Sequence, residues 1–543
     1  MSTILNRLEQ HARSRPNHPF CHLFRHGRMD SLTYGGLAQR VGQFAGALRN
    51  AGVEAGEVVP LMLETGIDGY AGFLAVMALG AIPTFLPFPS VKQAPDRFWT
   101  EHERVFARLD VRTVVTEAAL LPTVAHPLAR AGHRILLLEE LAADGQSSPP
   151  AWELGKGVGG GSDGDAVALL QHSSGTTGTK KGVALSHRAI LDQADRYALS
   201  LGFGAEDRVA TWLPLYHDMG LIATFLMPLV QGATICAMSP FEWVARPSLL
   251  LDVIDRHRCT IVWLPNFAFH LTARTTPADR FWDLSCVRAF VNCSEPCTPE
   301  AFEAFLGRLA GCGIEEDRLQ VCYAMAENVF AATQTPPGAA ARVFTLPDGS
   351  RRVSCGPPVP GVEIEVRDED NRPCPDGEAG EILLRSPFLF SGYHRQPDLT
   401  EQRLRDGWYR TGDVGFLCDG ELCVTGRRDD RFTVYGRNFH AFDVEALVGG
   451  VGGVLPGRCV ALPLYNPSLG SNEVAVLVET SGKRPFAELR KDVKEVVQAG
   501  LGLMLGSVTE VPSGWVVKTT SGKVSRVENM RKYQDMMKAR RNP

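Results

Sequence analysis

The sequence of 543 residues contains no Cys-x-x-Cys pair, no even ladder of cysteines and no Cys/His cluster at metal-ligand spacing. Its 13 Cys are therefore expected as reduced, mostly buried thiols, and a zinc module or disulfide scaffold is excluded. The first ten residues carry charges but no apolar run, so they do not read as a secretory leader, and a cytoplasmic location is expected. No long block of one charge stands out, and the net charge is only −5, which argues against a nucleic-acid binder. No period of 20–50 residues repeats. Glycine and proline together make about 16% of the chain, below the roughly 25–30% of low-complexity chains, which excludes collagen and wholesale disorder.

What is present is a globular composition, 44% hydrophobic and 22% charged. Two uncharged runs, 69–91 and 220–241, are long enough to span a bilayer. Internal Pro and Gly break both, so each is expected as a buried helix leading into a buried strand, with no membrane span. Helical patterns cover 31–51, 68–79, 186–201, 299–310 and 485–500. Short Val/Ile/Leu runs at 166–171, 208–212, 234–238, 261–264 and 288–292 read as buried strands. This mixture predicts an α/β fold with buried sheets. Residues 155–165 (GKGVGGGSDGD) read as a flexible loop ahead of the first of these strands. From residue 380 onward, short strands and turns dominate. Five charges at 427–431 between two short strands look like a junction, and the Lys/Arg-rich end, 523–543, reads as a solvated face.

The strongest local signal is residues 173–182, SSGTTGTKKG, between a strand and a helix. Small residues let the backbone approach an anion, hydroxyl and N–H groups bond phosphate oxygens, and lysine adds charge. A Walker A pattern cannot be placed on this stretch.

This loop resembles the phosphate loop of the acyl-adenylate-forming enzymes, a superfamily that includes acyl-CoA synthetases, adenylation domains and luciferases. Lys180 stands where the family usually has Pro, and His172 where an aromatic is common. Further motifs follow in the family's order over essentially the whole chain. WLPLYHDMGLI at 212–222 resembles the motif lining the acyl pocket, and NCSEP at 292–296 the adenine-contacting turn. YAMAE at 323–327 resembles the magnesium motif, and YRTGD at 409–413 the ribose motif. GRRD at 426–429 resembles the hinge, and KTTSGK at 518–523 the segment with the catalytic lysine.

The resemblance implies a large N-terminal domain, 1–428, of layered αβ subdomains plus a β-barrel-like part. A small mobile α+β domain, 429–543, follows. It implies ATP and Mg²⁺ as cofactors and Lys523, Glu327 and His217 as catalytic residues. The nucleotide set is Ser173, Ser174, Gly175, Thr176, Thr177, Gly178, Lys181, Asn292, Ser294, Glu295, Tyr323, Ala324, Met325, Ala326, Asp413 and Arg427. Glu327 and Thr176 are the metal candidates, and Asp429 is the hinge. The substrate pocket is expected from Trp212, Tyr216, His217, Met219, Ala223, Thr224, Asn266, Phe267 and Ala324.

The implied chemistry suits these residue types. A carboxylate attacks the α-phosphorus of ATP, so two anions must be brought together, and the barrier is charge repulsion plus positioning. Lys523 can bridge the carboxylate and the α-phosphate. A magnesium held by Glu327 neutralises phosphate charge. Asp413 offers two acceptors to two ribose hydroxyls.

Several stretches resemble fatty acyl-AMP ligases, which pass the acyl group to a carrier-protein thiol. These are LPLYHDMGLI, MSPFEWVARP, LPNFAFHL, VSCGPPVPG and GRNFHAFDVE. Glu327 and Val353 stand too close together for the extra segment usual in that group, which leaves the acceptor open between a phosphopantetheine carrier protein and CoA. Ala223, Thr224, Ala324 and Cys293 each replace an expected glycine. Added volume at tight sites predicts a shortened or reshaped acyl tunnel. The alternatives are an aromatic, small or nitrite-like substrate in a specialised pathway, an acyl-CoA synthetase, and an inactive nucleotide-binding homologue.

Overall fold

The computed structural model describes residues 3–89, 95–144, 164–173, 181–277, 279–346, 351–435, 437–466, 471–518 and 524–541. The chain divides into two compact units. The first holds most residues up to 411 together with 416–424, and the second holds 412–415 and residues from 425 onward.

The first unit is built on an eight-stranded sheet. Its order is Ala331–Gln334, Leu319–Ala324, Ala289–Asn292, Ile261–Leu264, Arg208–Thr211, Thr234–Met238, Pro19–Arg25, Arg28–Thr33. The inner pairings are parallel and only the two edge strands run antiparallel. Strands 234–238 and 261–264 are buried at every position, as parallel strands covered on both faces must be. A second, all-parallel sheet orders Ile82–Phe85, Val58–Met62, Thr113–Thr116, Arg134–Leu137. A three-stranded antiparallel sheet joins Gly392–Tyr393, Lys181–Ser186 and Val167–Ser173. The β-rich part is a five-stranded sheet of Glu363–Arg367, Gly380–Arg385, Trp408–Cys418, Leu404–Arg405 and Glu421–Arg427.

Both uncharged runs are buried helix–strand pairs. Helix Ile67–Ala78 leads into strand Ile82–Phe85, and π-helix Met219–Leu226 with helix Met227–Gln231 leads into strand Thr234–Met238. Among the described residues no helix is long and apolar enough to cross a membrane. One expected helix begins later than its pattern suggests. Residues 28–33 pair with Pro19–Arg25 as a hairpin, and helix Tyr34–Asn50 starts where the Thr33 hydroxyl accepts the Gly36 N–H at 3.1 Å. The loop expected at 155–165 lies almost wholly outside the described residues.

The second unit centres on strands Val454–Asn466, Ser471–Thr480 and Ser507–Glu510. Both faces of this sheet are covered. Ala461, Val474, Val476 and Val478 face a core with Val444, Leu489 and Val493. Val460, Leu462, Ala475 and Leu477 face Val516 and Tyr533. The C-terminal stretch is therefore more than a solvated face. It forms helix Arg526–Arg541, in which Asn529 and Tyr533 are buried.

Buried polar ties brace this unit. Arg526 pairs with Asp430 at 2.6 Å and with Glu445 at 2.6 Å, and Glu445 also accepts the Ala461 N–H at 3.0 Å. Burial pushes the Glu445 carboxyl up, and the Arg526 charge opposes that shift. Asn529 accepts the Val517 N–H and donates to the Val517 and Ser525 carbonyls, each at 2.8 Å. Glu479 accepts the Gly514 and Val516 N–H groups at 3.0 and 2.7 Å.

Candidate active site

Six of the residues named in the sequence, Trp212, Asn266, Phe267, Asn292, Tyr323 and Ala324, stand at the carboxyl ends of neighbouring parallel strands. Trp212 follows strand 208–211, Asn266 and Phe267 follow 261–264, Asn292 ends 289–292, and Tyr323 and Ala324 end 319–324. Strand 208–211 lies between 234–238 and 261–264, where the winding of the sheet reverses. In open α/β sheets that crevice is the natural ligand site.

One wall of the site is aromatic. Trp212 stacks on Trp243 with ring centroids 3.7 Å apart and planes 4° from parallel. Phe267 meets both edge-on, at 6.1 and 6.2 Å. Both indoles are buried and Phe267 is 41% exposed. The next turn is tight. A Cβ on Gly220 would come within 2.2 Å of the Pro214 carbonyl oxygen, so only glycine lets 213–220 fold onto itself. Behind it, Met219, Ala223 and Thr224 are buried in the π-helix. The Thr224 hydroxyl donates to the Gly220 carbonyl at 2.9 Å and accepts from the Thr211 hydroxyl at 3.1 Å. Tyr216 packs against His217, and burial pushes the Tyr216 phenol up to about 12.

A second cluster forms around Asn292, which is buried. Its amide donates to Asn266 Oδ1 at 2.8 Å and to Cys297 Sγ at 3.1 Å, while its own Oδ1 finds no partner among the described residues. Asn266 also accepts the Thr298 N–H at 3.3 Å. Ser294 takes φ +73°, and Glu295 accepts the Phe267 N–H at 3.1 Å. These bonds tie the turn after strand 289–292 to the helix carrying Phe267.

A charged corner lies where 319–324 gives way to the short 3₁₀ turn Ala326–Asn328. The Met325 N–H donates to Phe330 O at 3.0 Å, and Ala326 is buried. Glu327 is 7% exposed, and its Oε1 accepts the Tyr393 hydroxyl at 2.8 Å. Tyr393 also lies 3.2 Å from the Tyr409 hydroxyl, and its ring carries the Lys181 ammonium 5.1 Å from its centroid. Burial, and then the neighbouring Glu327 charge, push the Tyr393 phenol well above its ordinary range. Val329, a β-branched residue, holds φ +60° just after Glu327. Such a conformation costs about 1–3 kcal/mol and persists only where surroundings enforce it. Here Asn328 bonds the Ala331 carbonyl at 2.9 Å and accepts the Ser386 hydroxyl at 2.7 Å. Gln193 accepts the Ala331 N–H at 2.8 Å.

In the second unit, Asp413 and Arg427 form an ion pair at 2.9 Å. Asp429 lies in the 3₁₀ turn Arg428–Asp430. Residues 174–180, with Ser174, Gly175, Thr176, Thr177 and Gly178, lie outside the described residues, as do Lys523 and the side chain of Ser173. Tyr393 and Trp243 escaped the sequence reading. Tyr393 lies in a stretch with no charge pattern, and Trp243 stacks on a residue distant in sequence. The aromatic content of MSPFEWVARP was the one available hint.

A doubly wound sheet with nucleotide-motif residues on its carboxyl edge, joined to a small α+β unit, defines an adenylate-forming architecture. Residues 8–394 match the AMP-binding enzyme family, and the chain belongs to it. Among relatives, a 4-hydroxyphenylalkanoate adenylyltransferase of Mycobacterium marinum is 28% identical, covering 94% of this chain and 87% of its own. The medium-chain-fatty-acid–[acyl-carrier-protein] ligase JamA of Moorena producens is 30% identical over 67% of each chain. A solved structure from a study of fatty acyl-adenylate ligases of E. coli and L. pneumophila superposes with TM-score 0.88, at 24% identity over 99% of both chains.

Proposed function

We propose that this enzyme is an AMP-forming acid ligase: it joins a carboxylic acid to ATP as acyl-AMP, releases pyrophosphate, and hands the acyl group to a thiol. The observation that carries the reading is the corner where buried Glu327 and Tyr393 meet the half-buried Lys181, set at the carboxyl edge of the sheet that also bears the aromatic wall.

In this reading Lys181 and the 173–178 loop bind the phosphates. Asn292, Ser294, Glu295 and 323–326 receive the adenine, and Asp413 with Arg427 the ribose. Lys523 bridges the carboxylate and α-phosphate, with His217 beside the acid, so two anions meet against positive charge. The donor set suits Mg²⁺: Glu327 is a hard oxygen ligand held by a hydrogen bond, and Thr176 is a second candidate. When bound, the ion neutralises phosphate charge. The 1–428 and 429–543 segments act as two domains turning at Asp429, where a few residues absorb the change in φ/ψ. The thiol is that of a carrier protein, in line with the name of the relative JamA.

Acyl length supports a second reading. Ala223 and Thr224 have 0% and 1% exposure, and Trp212 stands against Trp243, so a short or aromatic acid suits the site better than a long chain. The test is pyrophosphate release over acids from acetate to palmitate, benzoates and cinnamates, with CoA or a carrier protein. Efficient release with long-chain acids would discard the short-acid reading. No release with any acid would discard the ligase itself.

A further inference from the structure

We propose that Tyr393 is the positioning residue of the charged corner: its hydroxyl orients the Glu327 carboxylate toward a divalent cation while its ring seats the Lys181 ammonium. This rests on the reading of Glu327 as the metal ligand in adenylation.

Proton counting gives the corner a direction. An ionised carboxylate only accepts, so the single Tyr393 proton goes to Glu327 Oε1 at 2.8 Å. The 3.2 Å contact between the two phenols must then be a donation from Tyr409 to Tyr393. The chain runs Tyr409 to Tyr393 to Glu327, and each bond polarises the next. The ring is held as firmly as the hydroxyl. Phe390 packs edge-on against Tyr393 and Tyr409, at 4.9 and 5.4 Å, and the Phe390 N–H donates to the Glu327 carbonyl at 2.9 Å. The Tyr393 backbone pairs with Val183, two residues beyond Lys181 on the strand that leaves the phosphate loop. One side chain therefore joins the carboxylate on one segment to the lysine on another. Partners that orient a metal's carboxylate commonly change metal affinity about 10- to 100-fold when removed.

The experiment titrates Mn²⁺, followed by electron paramagnetic resonance, into the full chain with an ATP analogue that cannot be cleaved between its α- and β-phosphates. Tyr393→Phe keeps the ring and loses the hydroxyl. It should weaken Mn²⁺ binding about 10-fold or more, a far larger loss than any in metal-free binding of the analogue. Tyr393→Leu should also weaken metal-free pyrophosphate binding, about threefold, because the cation–π contact goes. Tyr409→Phe should produce an intermediate loss of Mn²⁺ affinity. Folding of each variant is read from its thermal midpoint. Tyr393→Phe binding Mn²⁺ within about twofold of the wild type would overturn the proposal and leave the ligase reading standing. A wild type that binds no Mn²⁺ beyond what the analogue itself carries would overturn the Glu327 reading, and this proposal with it.

Discussion

The aromatic wall and the charged corner share one sheet edge but are held by different forces. At the wall, Trp212 and Trp243 lie flat against each other inside the core, so burial and ring contact fix them. At the corner, directional bonds to Glu327, Asn328 and Ala331 fix the backbone against the strained Val329. A wall held by burial can change in volume without breaking a bond, whereas the corner tolerates little, because Glu327, Asn328 and the Ala331 backbone are each held by a directional hydrogen bond. The two regions also share a support. Helix His187–Leu201 sends Gln193 to Ala331 and Tyr197 to both Trp263 and Gln334.

The largest effect is expected at the wall. Trp243→Ala removes a fully buried indole and should cost about 3–5 kcal/mol, read by chemical denaturation. A loss under about 1 kcal/mol would show that the stack is not structural.

The shared support comes next. Burial lowers the His187 imidazole to about 4, and its Nδ1 accepts the Ile4 N–H at 3.4 Å. Between about 4 and the ordinary value of 6.5 the unfolded chain binds more protons than the folded one. Stability is therefore full above about 6.5 and falls as the pH drops toward 4, by on the order of 3 kcal/mol. Denaturation midpoints across that range should show the slope, and His187→Gln should flatten it.

At the corner, Glu327→Gln should lower acid-dependent pyrophosphate release about 100-fold, some 2.7 kcal/mol, with the thermal midpoint little changed. The smallest effect belongs to the exposed end of the wall. Phe267→Ala should change the KM for the acid a few-fold and stability by less than about 1 kcal/mol. If Phe267→Ala instead matched Trp243→Ala in stability, the wall would be one core unit with no exposed working edge.

Much of this was legible in the residues, and the reasons are local. Strands 234–238 and 261–264 stand where their apolar runs put them, since a strand buried on both faces leaves an unbroken signal. Glu327 and Asn292 could be named because their motifs are contiguous. The start of the helix at Tyr34 was obscured because the Arg28–Thr33 hairpin strand is mostly exposed and carries no alternating apolar pattern. The burial of Asn529 and Tyr533 was hidden by the charges around them, since the apolar positions of that helix are few. Tyr393 reaches Glu327 only through the pairing of Gly392–Tyr393 with Lys181–Ser186, and such pairing leaves no spacing to read.

Acid adenylation is read most directly by mixing enzyme, ATP, Mg²⁺ and an accepted acid with no thiol present, quenching in acid, and identifying the nucleotides by mass spectrometry. An acid-adenylating enzyme should yield about one equivalent of acyl-AMP per enzyme with matching pyrophosphate, and Glu327→Gln none on the same timescale. ADP and phosphate in place of acyl-AMP would contradict acid adenylation.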